Sequence, residues 1–202
     1  MKKKEIYKKI LNIAKLIARK KEGALFVIGP EQKFKRTYEL LFPQLVKDHK
    51  IDERGIEKVI EKLATLDGAI LISDKGNLIA YGAKLKKSKP VQGYGTKHAA
   101  AAGITAFIKN STAIVVSEEV NWIRVFQKGN IILEMDSSEK SRPVEDKIAS
   151  YLSSGDKALL AAAGISVAAI GSAIVAPILI VGGTYIAIKT ATGLIKKKFQ
   201  KR

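Results

Sequence analysis

The sequence contains no cysteine, which excludes disulfide bridges, thiolate metal sites and a thiol nucleophile. The lack of disulfides fits a reducing compartment. Aromatic residues make up only 6% of the chain, and tryptophan occurs once. Little side-chain surface is therefore present for stacking nucleic-acid bases, and we do not expect nucleic acid to be a partner. At 202 residues the chain is still long enough to bury a sizeable core without cross-links.

Acidic residues are also few, since 19 Asp and Glu face 36 Lys and Arg, and the formal net charge is +17. Such an excess favours a polyanionic partner, either an anionic membrane surface or a nucleotide polyphosphate. The basic residues cluster at both ends, with nine in residues 1–21 and five in residues 196–202. The alternative is a general enrichment in lysine, as in a basic proteome or a protein adapted to high temperature.

Residues 1–22 are predicted to form a basic amphipathic helix. Apolar residues recur at helical spacing, and lysines fill the other side; the apolar positions are Ile6, Ile10, Ile13, Leu16 and Ile17. The helix can pack on its own domain or lie on a membrane surface. The interleaved polar residues do not match a secretory signal.

Residues 23–153 mix short apolar runs with helical patterns, which predicts an α/β domain with a mixed central β-sheet flanked by helices. The apolar runs predict strands at 24–29, 69–73, 78–83, 113–117, 122–127 and 131–135. The helical patterns cover 36–47, 53–64, 96–109 and 143–153. The turn-forming tetrapeptide DKGN joins two of these strands, so we expect them to form a hairpin.

Residues 157–195 are predicted to form an apolar, Gly- and Ala-rich helical hairpin, followed by a basic tail at 196–202. Residues 158–188 carry no charge, and this run exceeds the roughly 20 residues that span a bilayer. Pro177 divides it into two halves of about one membrane length each. Alternatives are a single kinked span and a soluble helix pair buried at a dimer interface. Insertion predicts a membrane-associated protein with its α/β domain in the cytoplasm; without insertion the chain is expected to be cytoplasmic.

The motif GYGTKH at 93–98 precedes an alanine-rich helical pattern. Gly93 and Gly95 permit backbone shapes that other residues avoid, and Thr96 is predicted to be the N-cap of the helix. A helix N-terminus attracts phosphate through its free N–H groups and its partial positive charge. Lys97 adds a charge there and His98 a hydrogen-bond donor.

Two further motifs bring carboxylates to the ends of strands. Asp67 precedes Gly68 and Ala69 at the start of one predicted strand, and Ser117 and Glu119 follow another. Carboxylate oxygens suit Mg²⁺ or Mn²⁺, which usually arrive with a nucleotide. The structural alternatives are an ordinary Asp-Gly turn and a solvated acidic loop.

In this order, the motifs resemble the diadenylate cyclase (DAC, DisA-N) family over roughly residues 23–120. Members of that family carry Asp-Gly-Ala, then Gly-Thr-Arg-His-Arg, then Val-Val-Ser-Glu-Glu. The resemblance implies a DAC-like nucleotide-binding domain in residues 23–153, which joins two ATP molecules into cyclic di-AMP. It also implies a face-to-face homodimer or higher oligomer, and Mg²⁺ or Mn²⁺ as the cofactor.

The resemblance assigns a role to each motif. Asp67 would assist the attacking hydroxyl with or through a metal ion, and Glu119 would be a further metal ligand. The adenosine and phosphate site would include Gly68, Ala69, Leu85 and Ser117. Thr96, Lys97 and His98 would grip phosphate.

The chain departs from the family pattern at several positions. Lys97 and Ala99 stand where the family has arginines, Leu66 stands where many members have histidine, and the strand after Glu119 also diverges. Lysine lacks the bidentate fork of arginine, and alanine removes a cation altogether. These departures keep a catalytically silent nucleotide sensor as an alternative function. The apolar segment keeps another, a membrane effector on the same fold.

Overall fold

The computed structural model describes residues 1–46, 48–119, 121–137, 142–155, 178–181 and 184–187. Its helices are α1 (Lys3–Arg19), α2 (Glu31–Phe34), α3 (Ile56–Leu63), α4 (Thr96–Phe107) and α5 (Arg142–Ser154). Its strands are β1 (Ala24–Gly29), β2 (Tyr38–Leu40), β3 (Ala69–Ser73), β4 (Leu78–Leu85), β5 (Thr112–Val116), β6 (Trp122–Gln127), β7 (Asn130–Asp136), β8 (Ile178–Val181) and β9 (Thr184–Ala187).

The strands form one mixed sheet in the order β2-β4-β3-β1-β5-β6-β7-β8-β9. β1 lies in the interior of the sheet, parallel to β3 and antiparallel to β5. The predicted hairpin is confirmed, since β3 and β4 pair antiparallel across the DKGN turn. The expectation of a mixed central sheet flanked by helices is therefore confirmed.

Two apolar cores cover the two faces of the sheet. Helix α1 buries Ile6, Ile10 and Ile17 in one core, to which α3 and α5 also contribute. Helix α4 contributes to the other core through Ala101 and Ile104. Both faces of β1 and β5 are covered, and for this reason these strands read as unbroken apolar runs. Of the two expectations for the N-terminal helix, the structure shows packing on its own domain.

The prediction of a helix over 36–47 is wrong. This segment instead contains strand β2, which pairs with β4, and then an irregular stretch that follows the same strand. The Leu41 N–H donates to the Gly82 carbonyl, and the Gln44 amide bonds both backbone groups of Tyr81. Pro43 has no N–H to donate within a helix. Pairing with β4 therefore supplies the hydrogen bonds that a helix would have made internally.

The predicted apolar hairpin falls mostly on residues outside those described. Within it, residues 178–181 and 184–187 are strands β8 and β9, paired antiparallel. The prediction of a helix is therefore wrong for these eight residues. None of the helices in the described part of the chain is long and apolar enough to cross a bilayer.

Candidate functional site

A cleft of about 500 Å³ opens at one edge of the sheet, where β5 ends and α4 begins. It is lined by residues 93–98, residues 116–119 and Arg124. The structure thus brings together Thr96, Lys97, His98, Ser117 and Glu119, five of the residues singled out in the sequence. The lining is more polar than apolar and includes four charged side chains, which suits a polar ligand.

Helix α4 points its N-terminus into this cleft. Its N-cap is Gly95, which has no side chain to bond the first-turn N–H groups, and Thr96 is the first helical residue. The prediction that Thr96 caps the helix is therefore wrong by one position. The His98 and Ala99 N–H groups share the Gly95 carbonyl. The N–H groups of Thr96 and Lys97 precede the first intrahelical bond, so they suit a bound anion.

Lys97 forms an ion pair with Glu118 across the cleft. The Glu118 carboxylate can lie there because residue 23 is glycine; a β-carbon on Gly23 would overlap the Glu118 side chain. The two side chains are 34% and 58% exposed. An ion pair in contact with water contributes little free energy. Lys97 can therefore exchange this carboxylate for a phosphate at small cost.

His98 lies in a cluster of aromatic and charged side chains on the wall of the cleft. Its ring centroid is 4.8 Å from that of Tyr94 and 6.1 Å from that of Phe126. The Arg124 guanidinium carbon lies 4.7 Å from the centroid of Tyr94. Arg124 Nε donates to Glu134 Oε2 at 2.8 Å, across the β6–β7 pair. The cluster fixes the orientation of both His98 and Arg124.

Burial, together with the smaller effects of the positive charges of Arg124 and Lys97, lowers the pKa of His98 to about 4. The imidazole is therefore neutral at physiological pH. Arg124 Nη1 lies 3.3 Å from His98 Nε2. Because arginine is always a donor, Nε2 accepts this bond and the ring proton sits on Nδ1. In this tautomer His98 carries one N–H donor, on Nδ1, and no charge.

The Asp-Gly-Ala motif does not line the cleft, although it lies at the same edge of the sheet. The starts of β3 and β1 are side by side because these strands are parallel, and the end of β5 is next to them. Asp67 and Ala69 are therefore two strands from Ser117, a spacing of about 10 Å. Leu85 ends β4 at this edge as well, since Ala69 pairs with Ala83.

Gly68 is required by the backbone around it. Its φ is +94°, and a β-carbon there would lie 2.5 Å from the carbonyl carbon of Gly82 and 2.7 Å from the Ala83 nitrogen. The missing side chain therefore lets β3 and β4 approach closely where β3 begins. Asp67, just before it, is exposed, whereas Leu85 is half-buried and packs on the α4 side of the sheet.

The described residues contain no group of three or more His, Asp and Glu side chains that could hold a metal ion. Asp67 and Glu119 are both exposed at the same edge. Mg²⁺ in nucleotide sites is usually held by one or two carboxylates together with substrate phosphates. Either carboxylate would suit such an ion, with phosphates of the substrate completing its coordination. The charged side chains that line the cleft are two cations and two carboxylates, so a triphosphate would bring uncompensated negative charge.

Sequence reasoning missed Arg124, Tyr94 and Glu134. A signal was present, because Arg124 and Glu134 lie at matched distances on either side of the KGN turn. Opposite charges at such positions favour cross-strand pairing. The approach of Tyr94 to Arg124 had no sequence signal, since it depends on the packing of α4 against β6.

The sequence matches the family model described as DisA bacterial checkpoint controller nucleotide-binding (DAC) over residues 13–131. This range contains Asp67 and every residue that lines the cleft. The chain belongs to the DAC family. The resemblance seen in the three motifs is thereby confirmed.

This DAC chain is 32% identical over 120 residues to a diadenylate cyclase of Haloferax volcanii. It is 30% identical over 145 residues to a diadenylate cyclase of Methanocaldococcus jannaschii. The alignments cover 56% and 67% of this chain, and 44% and 47% of the two relatives. The DAC chain therefore matches somewhat less than half the length of each relative.

Two solved structures share the fold. A double cysteine mutant of DacA from Staphylococcus aureus superposes with a TM-score of 0.54 at 22% identity, covering 75% of this chain and 97% of that one. A hypothetical membrane spanning protein from Bacillus cereus gives 0.50 at 19% identity, covering 60% and 59%. At these identities the likeness concerns the fold of the DAC domain alone.

Proposed function

We propose that this chain is a diadenylate cyclase, which condenses two ATP molecules into cyclic di-AMP and releases two pyrophosphates. The observation that carries the proposal is the cleft at the N-terminus of α4. It combines an uncapped helix start, Lys97 and Ser117 within the range matched to the DAC family. Both curated relatives are diadenylate cyclases.

The cleft supplies the phosphate half of the site. The N–H groups of Thr96 and Lys97 and the ammonium of Lys97 would bind phosphate oxygens, with Glu118 released from its ion pair. Ser117 adds a hydroxyl at the end of β5. His98 offers an N–H without a charge. The adenosine would extend along the sheet edge toward Ala69 and Leu85.

In the reaction, the 3′-hydroxyl oxygen of one ATP forms a bond to the α-phosphorus of the other. The bond from that phosphorus to the bridging oxygen of pyrophosphate breaks, and the hydroxyl proton is released. A second, reciprocal step closes the ring. Such phosphoryl transfer depends mainly on positioning and charge neutralisation.

Asp67 is proposed to assist the hydroxyl, either by accepting its proton or through a bound Mg²⁺ or Mn²⁺. The metal ion would neutralise phosphate charge, with Glu119 as a second candidate ligand. Asp67 lies at an exposed edge about 10 Å from the cleft. This separation favours a face-to-face homodimer, in which each chain holds one ATP and presents it to the other.

The test is mass spectrometry of the products after the full chain is incubated with ATP and Mg²⁺ or Mn²⁺. We expect cyclic di-AMP from the wild type and none from Asp67→Asn. Asp52→Asn is the matched control, because Asp52 is equally exposed but lies next to α3. Full activity of Asp67→Asn would refute the role of Asp67. The absence of cyclic di-AMP from the wild type with both metals would refute the cyclase.

A catalytically silent nucleotide sensor is the second candidate. The observations that favour it are the engagement of Lys97 by Glu118 and the lack of a cation at position 99. It predicts ATP binding by calorimetry without turnover. Detection of cyclic di-AMP would eliminate it.

We also propose that the chain attaches to an anionic membrane with its DAC domain on the cytoplasmic side. The uncharged residues 158–188 and the basic residues 196–202 support this. Flotation of the full chain with phosphatidylserine-containing vesicles tests it, and recovery only in the pellet would contradict it. Leakage of such vesicles on nucleotide addition would instead indicate a membrane effector.

A further inference from the structure

Two basic side chains other than His98 line the cleft among the described residues, Lys97 on α4 and Arg124 on β6. Position 99, in the first turn of α4, is alanine and provides no third one. We propose that Arg124 binds a phosphate of the ligand and so supplies the cation that position 99 lacks. This inference rests on the proposed function, in which the ligand of the cleft is ATP.

Arg124 has guanidinium N–H groups that can bind such a ligand. Its Nε bonds Glu134 and its Nη1 bonds His98. These contacts use two of the five N–H groups of a guanidinium. The remaining N–H groups can bind phosphate oxygens on the cleft side, where the residue forms part of the wall. Arginine is well suited to this because its planar fork matches phosphate geometry.

The guanidinium is also held in place before a ligand arrives. The side chains of Arg124 and Glu134 are only 12% and 14% exposed, unlike those of Lys97 and Glu118. The Tyr94 ring covers a further part of the guanidinium. A cation fixed in this way loses little conformational entropy on binding. Lys97 is instead more exposed, and it must first leave its carboxylate.

Arg124 lies against the first turn of α4, the turn that also contains position 99. Arg124 contacts His98, the residue directly before Ala99. His98 is neutral at physiological pH, so it does not duplicate the charge. The cation therefore comes to this region from strand β6 rather than from the helix itself.

The test measures binding of ATP and of adenosine, a probe without phosphate, to the full chain by calorimetry. We expect Arg124→Gln to weaken ATP binding at least tenfold, the usual order for a lost charge-assisted hydrogen bond, and to leave adenosine binding unchanged. Arg54→Gln, which removes an exposed arginine distant from the cleft, is the control and should leave both unchanged. Equal loss of ATP and adenosine, or no loss of ATP, would overturn the inference.

A purely structural ion pair makes a different prediction for Glu134→Gln. If Arg124 merely anchors the hairpin, loss of either partner should weaken ATP binding. If Arg124 binds phosphate, Glu134→Gln leaves the positive charge of Arg124 without its carboxylate partner. ATP binding should then stay the same or tighten. The double variant Arg124→Gln/Glu134→Gln avoids an unpaired buried carboxylate and should bind ATP as weakly as Arg124→Gln.

Restoring a cation on the helix gives a second, independent readout. The double variant Arg124→Gln/Ala99→Arg should regain most of the lost ATP affinity. No recovery would contradict the idea that Arg124 supplies the cation that position 99 lacks.

Failure of the cyclase proposal can be distinguished from failure of the Arg124 proposal. A wild type that binds ATP through Arg124 but makes no cyclic di-AMP refutes the cyclase alone. Cyclic di-AMP made equally well by Arg124→Gln refutes the role of Arg124 alone.

Discussion

Gly68→Ala should destabilise the protein because two separate costs meet at this position. The backbone φ of +94° lies in a region that residues with a β-carbon avoid, at a cost of about 1–2 kcal/mol. The added β-carbon would also lie 2.5 Å from the carbonyl carbon of Gly82. Carbon atoms normally approach to about 3.5–4.0 Å. Relieving that overlap requires the backbones of β3 and β4 to separate, which we estimate at about 1–3 kcal/mol.

Gly55→Ala is the matched control. Gly55 has a similar φ of +85°, but nothing lies within 4 Å of its missing β-carbon. The difference between the two variants therefore isolates the close approach of β3 to β4. In a chain of this size, 1 kcal/mol shifts the melting temperature by roughly 2–4 °C. Gly68→Ala should thus melt roughly 2–12 °C below Gly55→Ala.

The assay is thermal unfolding of the ligand-free chain, followed by far-ultraviolet circular dichroism. Two variants with the same melting temperature would refute the reasoning, since the steric cost would then be absent. The comparison also separates the two halves of the Asp-Gly motif. Asp67→Asn should leave the melting temperature unchanged, because the Asp67 side chain is exposed.

Two further predictions concern His98 and the loop before α4. The pKa of His98 is about 4 in the folded chain, against an ordinary value of 6.5. Between pH 6.5 and pH 4, His98 binds a proton in the unfolded chain but not in the folded chain. The stability due to neutral His98 is therefore present above pH 6.5 and lost toward pH 4. His98→Gln should reduce the loss of stability between pH 7 and pH 4.5 by about 2 kcal/mol in urea unfolding; an unchanged loss would contradict the shifted pKa. Gly103→Ala should destabilise the chain, because the added β-carbon would lie 2.5 Å from the backbone of Lys87 and Ser88. Alanine favours the helix over glycine by about 1 kcal/mol, and we expect the steric overlap to outweigh this gain. A rise in melting temperature would show that this loop moves away freely.

The sequence predicted the parts of the fold that depend on local signals. The apolar runs located β1, β3 and β5, and DKGN located the turn between β3 and β4. GYGTKH located the start of α4 to within one residue. These features depend on the preferences of individual residues for burial, turns and helix starts. Such preferences can be read from the local sequence.

The failures occurred where a distant partner decided the outcome. The segment 36–47 has a helical pattern, but it forms a strand and an irregular stretch instead. Both make hydrogen bonds with the backbone of β4. The backbone hydrogen bonds available along β4 outweigh a weak intrinsic helix preference. The sequence of the segment alone does not indicate that β4 will lie beside it.

By itself, the sequence identified the candidate site residues of the three motifs, because motif residues and their order require no knowledge of the fold. Only the tertiary structure decided how they are grouped. The packing of α4 against β5 puts Thr96 and Lys97 in one cleft with Ser117. The order of the strands leaves Asp67 two strands away. The packing of α4 against β6 adds Arg124 to that cleft and keeps His98 neutral. Distances between strands and the burial of charge come from contacts between remote parts of the chain, so no local pattern contains them.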